Sequence, residues 1–309
     1  MKRICLIIVF NHKYNRNIPI LDKIYEKRFS SIYYLVPFAT EEIHKADSPN
    51  IITVYETSYC FQGYFAQAYE KIKEDSFSHY IMIGDDQILN PKLNETNILA
   101  ELGLGEKDSY IKNIIPYGES IGDQSNKLYN ILSAFRINVG VSYQPEIPSY
   151  EEALEKCREH HLKVTAKLPL SFFCHKGYLH PKHLPLTLVT LAINRGRKLP
   201  YPLFKSYADM LVIDRNSMNE FCRLSGVFAA MNIFVETAIP LAMILACSNI
   251  KTENDILGYH GIENWGKEIP AFEDKYRHDL GYLLDNFEDK ALYYHPIKLS
   301  RWTTQGGTK

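Results

Sequence analysis

The chain has 309 residues, of which 46% are hydrophobic and 23% charged, enough to bury a large core in one domain or one and a half. Its formal net charge of −1 excludes the bulk electrostatic footprint of a nucleic-acid-binding protein, so nucleic acid is not an expected partner. The six cysteines are scattered without a CxxC pair, which argues against a zinc site or a disulfide framework and fits a reducing, cytoplasmic setting.

Met1-Lys2-Arg3 followed by Ile4–Phe10 imitates a signal peptide. His12, Lys13, Asn15 and Arg16 follow without a small-residue cleavage site, so a buried parallel strand is predicted instead. A helix is predicted over Asn17–Lys27, with Pro19 in its first turn. Strands are predicted over Ser31–Val36 and Ile51–Tyr55, a helix over Gly63–Lys73 and a strand over His79–Ile83. This alternation predicts an α/β fold with a mostly parallel central sheet flanked by helices.

A short helix is expected over Asn94–Leu102. Prolines then punctuate the chain from Pro145 to Pro200, and Tyr150–His161 reads as an exposed helix. A strand is expected at Tyr207–Asp214. A long helix over Asn216–Cys247 is expected to break near Pro240, and an amphipathic helix to cover Phe272–Phe287. Val227–Ala246 is about one bilayer span long. It holds Asn232, Glu236 and Pro240, so a helix buried in protein is expected rather than a membrane span. The expected organisation is an α/β half over 1–137, a helical insertion on the acceptor side over 138–205, the rest of the core over 206–302, and a polar tail over 303–309.

The segment His79-Tyr80-Ile81-Met82-Ile83-Gly84-Asp85-Asp86-Gln87 delivers two acids at the C-terminal end of an apolar strand. Ligands bind at that edge of open α/β sheets. Two adjacent carboxylates repel unless a proton or a cation lies between them. Mg²⁺ or Mn²⁺ favours oxygen ligands and shares its shell with phosphates. Such a metal would stabilise a departing nucleoside diphosphate. The competing reading is that Asp85 and Asp86 start a turn and cap the next element.

Tyr80–Pro91 resembles the acid metal motif of GT-A glycosyltransferases, in a form with adjacent aspartates. Tyr14-Asn15-Arg16-Asn17-Ile18-Pro19-Ile20-Leu21, Phe29-Ser30-Ser31-Ile32, Gly63-Tyr64-Phe65 and Gly84-Asp85-Asp86 follow one another in an order similar to the catalytic-like domain of STELLO-type glycosyltransferase-like proteins and their bacterial relatives. The likeness covers roughly the first third of the chain. It implies a transferase fold that binds a UDP- or GDP-linked sugar donor with Mn²⁺ or Mg²⁺. It also implies that Phe10–Asn17 holds the nucleotide, with Phe10, Asn15 and Arg16 as candidate contacts beside Asp85. The spaced Asp-x-Asp form is absent, since Gln87 follows Asp86, and this leaves open which carboxylate touches the metal. The implied acceptor is a glycan or a lipid-linked sugar, as in surface polysaccharide biosynthesis.

The same family plan implies a late histidine on the metal. Tyr293-Tyr294-His295-Pro296-Ile297-Lys298 offers His295 as a third metal ligand after Asp85 and Asp86. Lys298 and Arg301 could neutralise a diphosphate. An inverting transfer needs a base for the acceptor hydroxyl. Asp209, before the Met210 strand, and Glu236, inside an apolar run, are the candidates, and Tyr207 could stack on a sugar. The competing reading makes Glu236 a structural carboxylate paired with a cation or a backbone N–H group.

Other features are weaker. His160-His161 reads as solvated. His175, His180 and His183 are irregularly spaced for zinc. Asn194-Arg195-Gly196-Arg197-Lys198 could meet anionic lipid head groups, which would place the protein at the periphery of the inner membrane; a solvated loop is the plainer reading. Gly103-Leu104-Gly105 lacks dinucleotide spacing, and neither a P-loop nor a Gly-x-Ser-x-Gly elbow occurs. Two alternatives stand beside the transferase. One is a non-catalytic glycosyltransferase-like binding protein. The other is a sugar nucleotidyltransferase, although Phe10–Arg16 has none of the glycines such a loop uses.

Overall fold

The computed structural model describes residues 3–12, 15–39, 50–119, 125–137, 140–175 and 179–303, with the backbone alone for Asn15, Ser125, Asn126, Cys174 and His175. Tyr14 of the motif above and the tail 304–309 lie outside the described residues. The strands in chain order are β1 (Arg3–Val9), β2 (Ser31–Pro37), β3 (Ile51–Val54), β4 (Phe77–Gly84), β5 (Ile88–Leu89), β6 (Asp108–Ile111), β7 (Ile115–Pro116), β8 (Phe204–Lys205), β9 (Met210–Asp214), β10 (Asn249–Lys251), β11 (His260–Glu263) and β12 (Ala291–His295).

Among the described residues, one sheet has the order β10-β6-β9-β4-β1-β2-β3. Its pairings are parallel except at β9, which runs antiparallel between β4 and β6. The α/β class with a mostly parallel central sheet and flanking helices is therefore what the chain adopts. β1 explains the two-sided core. Cys5, Ile7 and Val9 enter one apolar layer, and Ile4, Leu6 and Ile8 enter the other. A strand whose side chains alternate between two buried faces reads as a continuous apolar run.

The first layer is roofed by the helices Gln62–Ile72, Arg215–Ala230 and Val235–Ala246. Two of them cross through small residues. A Cβ on Gly63 would stand 2.9 Å from that of Ala229, and one on Gly226 2.8 Å from that of Ala66. The second layer is closed by Ile18, Leu21 and Tyr25 of the helix Ile18–Tyr25 and by the aromatic cluster of Phe272, Tyr276 and Tyr294.

Several expected boundaries shift for identifiable reasons. The helix expected over Asn216–Cys247 divides at Asn232, not at Pro240. Asn232 takes a left-handed φ of 55°, its N–H donates to Ala229 O at 2.8 Å, and that of Ile233 donates to Phe228 O at 3.0 Å. This bond pair is the Schellman ending of a helix. Pro240 stays inside the next helix, Val235–Ala246. The Glu236 carbonyl, four residues before this proline, accepts the Ser206 N–H instead, at 2.9 Å. The expected helix Phe272–Phe287 divides at Arg277 and His278, both at positive φ. Asp279 then caps the second piece, accepting from Tyr282 N at 2.8 Å. The strand expected from Tyr207 begins only at Met210.

The helix Tyr150–Glu159 starts with a capping box between Ser149 and Glu152. It buries Ala153 and Cys157, and His160 brings Nε2 within 3.2 Å of Ile244 O. Within the region 138–205, expected as a helical insertion, Leu168, Phe172, Phe173, Leu199, Tyr201 and Leu203 join the first apolar layer. Tyr201 stacks on Phe135 at 5.0 Å. Among the described residues, no helix is long and apolar enough to cross a membrane.

Candidate functional site

The acid pair leaves β4 at the middle of the sheet. Asp85 N donates to Val9 O at 2.9 Å, continuing the β1–β4 ladder by one bond. A Cβ on Gly84 would stand 3.1 Å from Asp86 Oδ1, a tight but not forbidding contact with the end of a side chain. Asp85 is buried and Asp86 half-buried. Burial first, and then repulsion from Asp86, pushes the Asp85 carboxyl up to about 7, while the Asn11 backbone N–H and the Asn17 side chain act against the rise.

Strand register brings two distant residues to this pair. β9 runs antiparallel to β4 with Met210 opposite Ile83, so Asp209 arrives next to Gly84. β5 follows the acid pair directly and pairs antiparallel with β12, Ile88 opposite Tyr294, so the end of β12 arrives beside Asp86. Ile297 N then donates to Asp86 O at 2.6 Å. His295 consequently stands between two acids, with Nε2 3.4 Å from Asp86 Oδ1 and Nδ1 3.5 Å from Asp209 Oδ2.

Burial works against a charge on His295, but Asp86 and Asp209 outweigh it and raise its pKa. Asp209 is pushed up to about 6, chiefly by lost hydration, with His295 opposing the rise. Asn11 Oδ1, Asp86 Oδ1, Asn264 Nδ2 and His295 Nδ1 are buried without a hydrogen-bond partner. Unsatisfied buried polar atoms are costly and collect where a ligand completes them.

A cleft of about 330 Å³ opens beside the acid pair, lined by Asn11, His12, Asn17, Asp85, Asp86 and the segment Ile297–Arg301, while Asp209 lines a neighbouring pocket with Asp86 and Asn11. Lys298 and Arg301 line the same cleft as the acids. Of the residues expected to hold a nucleotide, Asp85 and Lys298 line the cleft. Phe10 does not: its side chain is fully buried in the second layer against Tyr34, and Asn11 and His12 take the surface. Arg16 is exposed and is not among the lining residues. The Asn15 side chain lies outside the described residues.

Glu236 sits half-buried in the first turn of its helix, near enough to Asp209 and Tyr207 to raise both. Among the described residues no three His, Cys, Asp or Glu side chains form a ready metal-holding group. Asp86 and His295 supply two donors of the type that Mn²⁺ or Mg²⁺ accepts, and further oxygens would have to come from phosphate or water.

Sequence reasoning missed Trp265 and the pair Lys112–Glu263. The Trp265 ring is exposed and meets the His295 ring edge-on at 5.4 Å. Lys112 Nζ lies 2.6 Å from Glu263 Oε1 and 5.5 Å from the Tyr207 ring, and Tyr293 donates to Glu263 at 2.8 Å. The available signal was that Trp265 is one of only two tryptophans and lies in an otherwise polar stretch.

No protein-family model and no curated protein matches the chain. Among solved structures it is similar to the galactosyltransferase LgtC in complex with donor and acceptor sugar analogs. The identity is 10%, the coverage 94% of this chain and 86% of that one, and the TM-score 0.38. It is also similar to mouse xyloside xylosyltransferase 1 in its apo form, at 9% identity, 94% and 97% coverage and a TM-score of 0.34. Likeness of this depth carries no functional weight, and the chemistry rests on the site itself.

Proposed function

We propose that the chain is a metal-dependent glycosyltransferase of the GT-A type. It moves a sugar from a nucleotide-sugar donor, UDP- or GDP-linked, to a glycan or lipid-linked acceptor. One observation supports this above others: His295, at the end of β12, stands between Asp86, beyond the end of β4, and Asp209, before β9, while Asp85, Asp86 and Lys298 line one cleft.

Asp86 and His295, with Asp85 behind them, would hold Mn²⁺ or Mg²⁺. Asp86 Oδ1, held only by its 3.4 Å contact with His295, and the mixed carboxylate–imidazole donors suit such an ion. When bound, the ion offsets charge on the departing diphosphate. Lys298 and Arg301 face the same phosphates as mobile and forked cations. Asn11, His12 and Asn17 offer polar contacts to the nucleoside side of the cleft. Asp209 is the base: its carboxyl, raised to about 6, can accept the acceptor hydroxyl proton near neutral pH. Glu236 is the second candidate for that proton. Tyr207 and Trp265, both exposed close to His295 or Asp209, give flat apolar faces on which a sugar can stack.

The test is titration calorimetry of UDP and GDP with and without Mn²⁺, followed by donor turnover with an acceptor panel. Metal-dependent binding that disappears in Asp86→Ala supports the reading. Absence of nucleotide binding under every divalent metal rejects it.

A second reading, a non-catalytic nucleotide-sugar-binding protein, is favoured by the lack of a ready three-residue metal group among the described residues. Binding without donor hydrolysis or transfer would select it.

A further inference from the structure

The helix Leu184–Ile193 is inside out. Thr187 and Thr190 are its buried residues, each 5% exposed, while Leu186, Leu188 and Val189 are 46%, 57% and 49% exposed. The threonine hydroxyls need no outside partner. Thr187 Oγ1 donates to His183 O at 3.0 Å and Thr190 Oγ1 to Leu186 O at 2.7 Å. A water-facing helix turns its leucines inward, so this one presents an apolar face to something other than water. Leu170 and Leu179 are exposed in the same part of the chain. Ile137 is exposed too, beside Arg136, which reaches Asn194 Oδ1 at 3.4 Å.

The stretch of sequence that carries this face is basic, with one of its lysines, Lys163, paired to Glu119 at 2.7 Å. Between Glu159 and Asp209 the sequence holds six lysines, two arginines and neither an aspartate nor a glutamate, in a chain whose net charge is −1. Two of these lysines are forced together. Lys167 and Lys198 are directly opposed in an antiparallel bridge, flanked by Leu168 N to Arg197 O and Leu199 N to Ala166 O, both 2.9 Å. Like charges directly opposite are unfavourable unless an anion lies over them. Arg195 follows the helix end at once, exposed like Lys182 and Lys198.

We propose that this face docks on an anionic lipid bilayer, with the helix lying in the interface and the lysines and arginines on the head groups. Exposed leucines between basic residues are the pattern of an interfacial helix. The absence of acids over the whole stretch selects a negative surface over a neutral one. Depth is limited to the interface, since no described helix is long and apolar enough to cross. The proposal is independent of the transferase reading, because none of the cleft-lining residues belongs to this stretch.

The experiment is flotation of the full chain with vesicles of phosphatidylcholine mixed with phosphatidylglycerol, and with vesicles of phosphatidylcholine alone. The expected result is a preference of at least about tenfold for the anionic vesicles, falling as salt is raised. Arg195→Glu with Lys198→Glu removes that preference. Leu188→Ser with Val189→Ser weakens binding by about tenfold but leaves the preference. All four side chains are exposed, so thermal unfolding of both variants should match the unaltered chain. Equal affinity for the two vesicles, or no binding to either, overturns the proposal with the unaltered chain alone. So does a dimer in sedimentation velocity that Leu188→Ser with Val189→Ser dissolves, since a second copy would then cover the face.

Discussion

His295 Nε2 lies 3.4 Å from Asp86 Oδ1, a contact set by the pairing of β5 with β12 and by the Ile297 N–H on the Asp86 carbonyl. Asp86 lies in the first third of the chain and His295 near its C-terminal end, and the pairing of β5 with β12 brings them together.

Removing either partner should weaken metal-dependent chemistry. Asp86→Ala and His295→Ala are each expected to lower kcat about 10²–10³-fold, the usual cost of losing one group that stabilises transition-state charge. Steady-state transfer assays across a Mn²⁺ series check this. Activity unchanged in both variants would place the reaction elsewhere.

Stability without metal should fall as pH rises from about 4 to about 7. Burial pushes the Asp85 and Asp209 carboxyls up to about 7 and about 6, above the ordinary carboxylate value of about 4. An acid whose folded pKa is raised keeps its proton longer in the folded state, so folding is favoured at low pH and loses that advantage as pH climbs through the folded pKa. His295, raised above its ordinary value, adds loss of the same sign as its own proton leaves. Melting temperatures across pH 5 to about 8 should therefore decline. Asp85→Asn should flatten the decline, and Mn²⁺ with nucleotide should reverse it. A profile that rises over this range contradicts the assignment.

Gly261→Ala should destabilise the fold by about 1–3 kcal/mol. Its Cβ would stand 2.3 Å from Tyr293 Cζ, and the ring cannot retreat because Tyr293 is fully buried and donates to Glu263. Urea unfolding measures the loss, and a Tyr293→Phe background should not relieve it, since the ring remains.

Trp265→Ala should raise the acceptor KM with little effect on nucleotide affinity. The indole is exposed beside His295, outside the group that lines the cleft. Separate titrations of nucleotide and acceptor distinguish this outcome from general damage to the site.

Asp214→Ala should cost about 1–2 kcal/mol. The carboxylate caps the helix Arg215–Ala230 through Asn216 N at 2.9 Å and Ser217 N at 3.3 Å, and it also meets Ser109 Oγ at 3.2 Å. Chemical denaturation checks the loss, which Asp214→Asn should largely restore.

Local chemistry made the first third of the chain readable. Apolar runs bounded by polar turns fix β1, β2, β3 and β4 because a strand buried on both faces must be apolar throughout. The long helical pattern was misdivided because proline is the louder local signal. Asn232, which ends the helix through a left-handed residue, is silent until the chain is folded. The leucine-rich helix Leu184–Ile193 was missed for a related reason. Its composition is that of a core helix, and only its packing shows that the leucines face out.

By itself the sequence determined the α/β alternation, the acid pair at a strand end, and the acidic, basic and imidazole residue types of the candidate site. All of these follow from neighbours in the chain. Tertiary structure decided that Asp209 and His295 meet Asp86, that Phe10 is core, and that Trp265 belongs beside the site. Those outcomes depend on strand register between distant segments, and register is set by the whole sheet rather than by any local pattern.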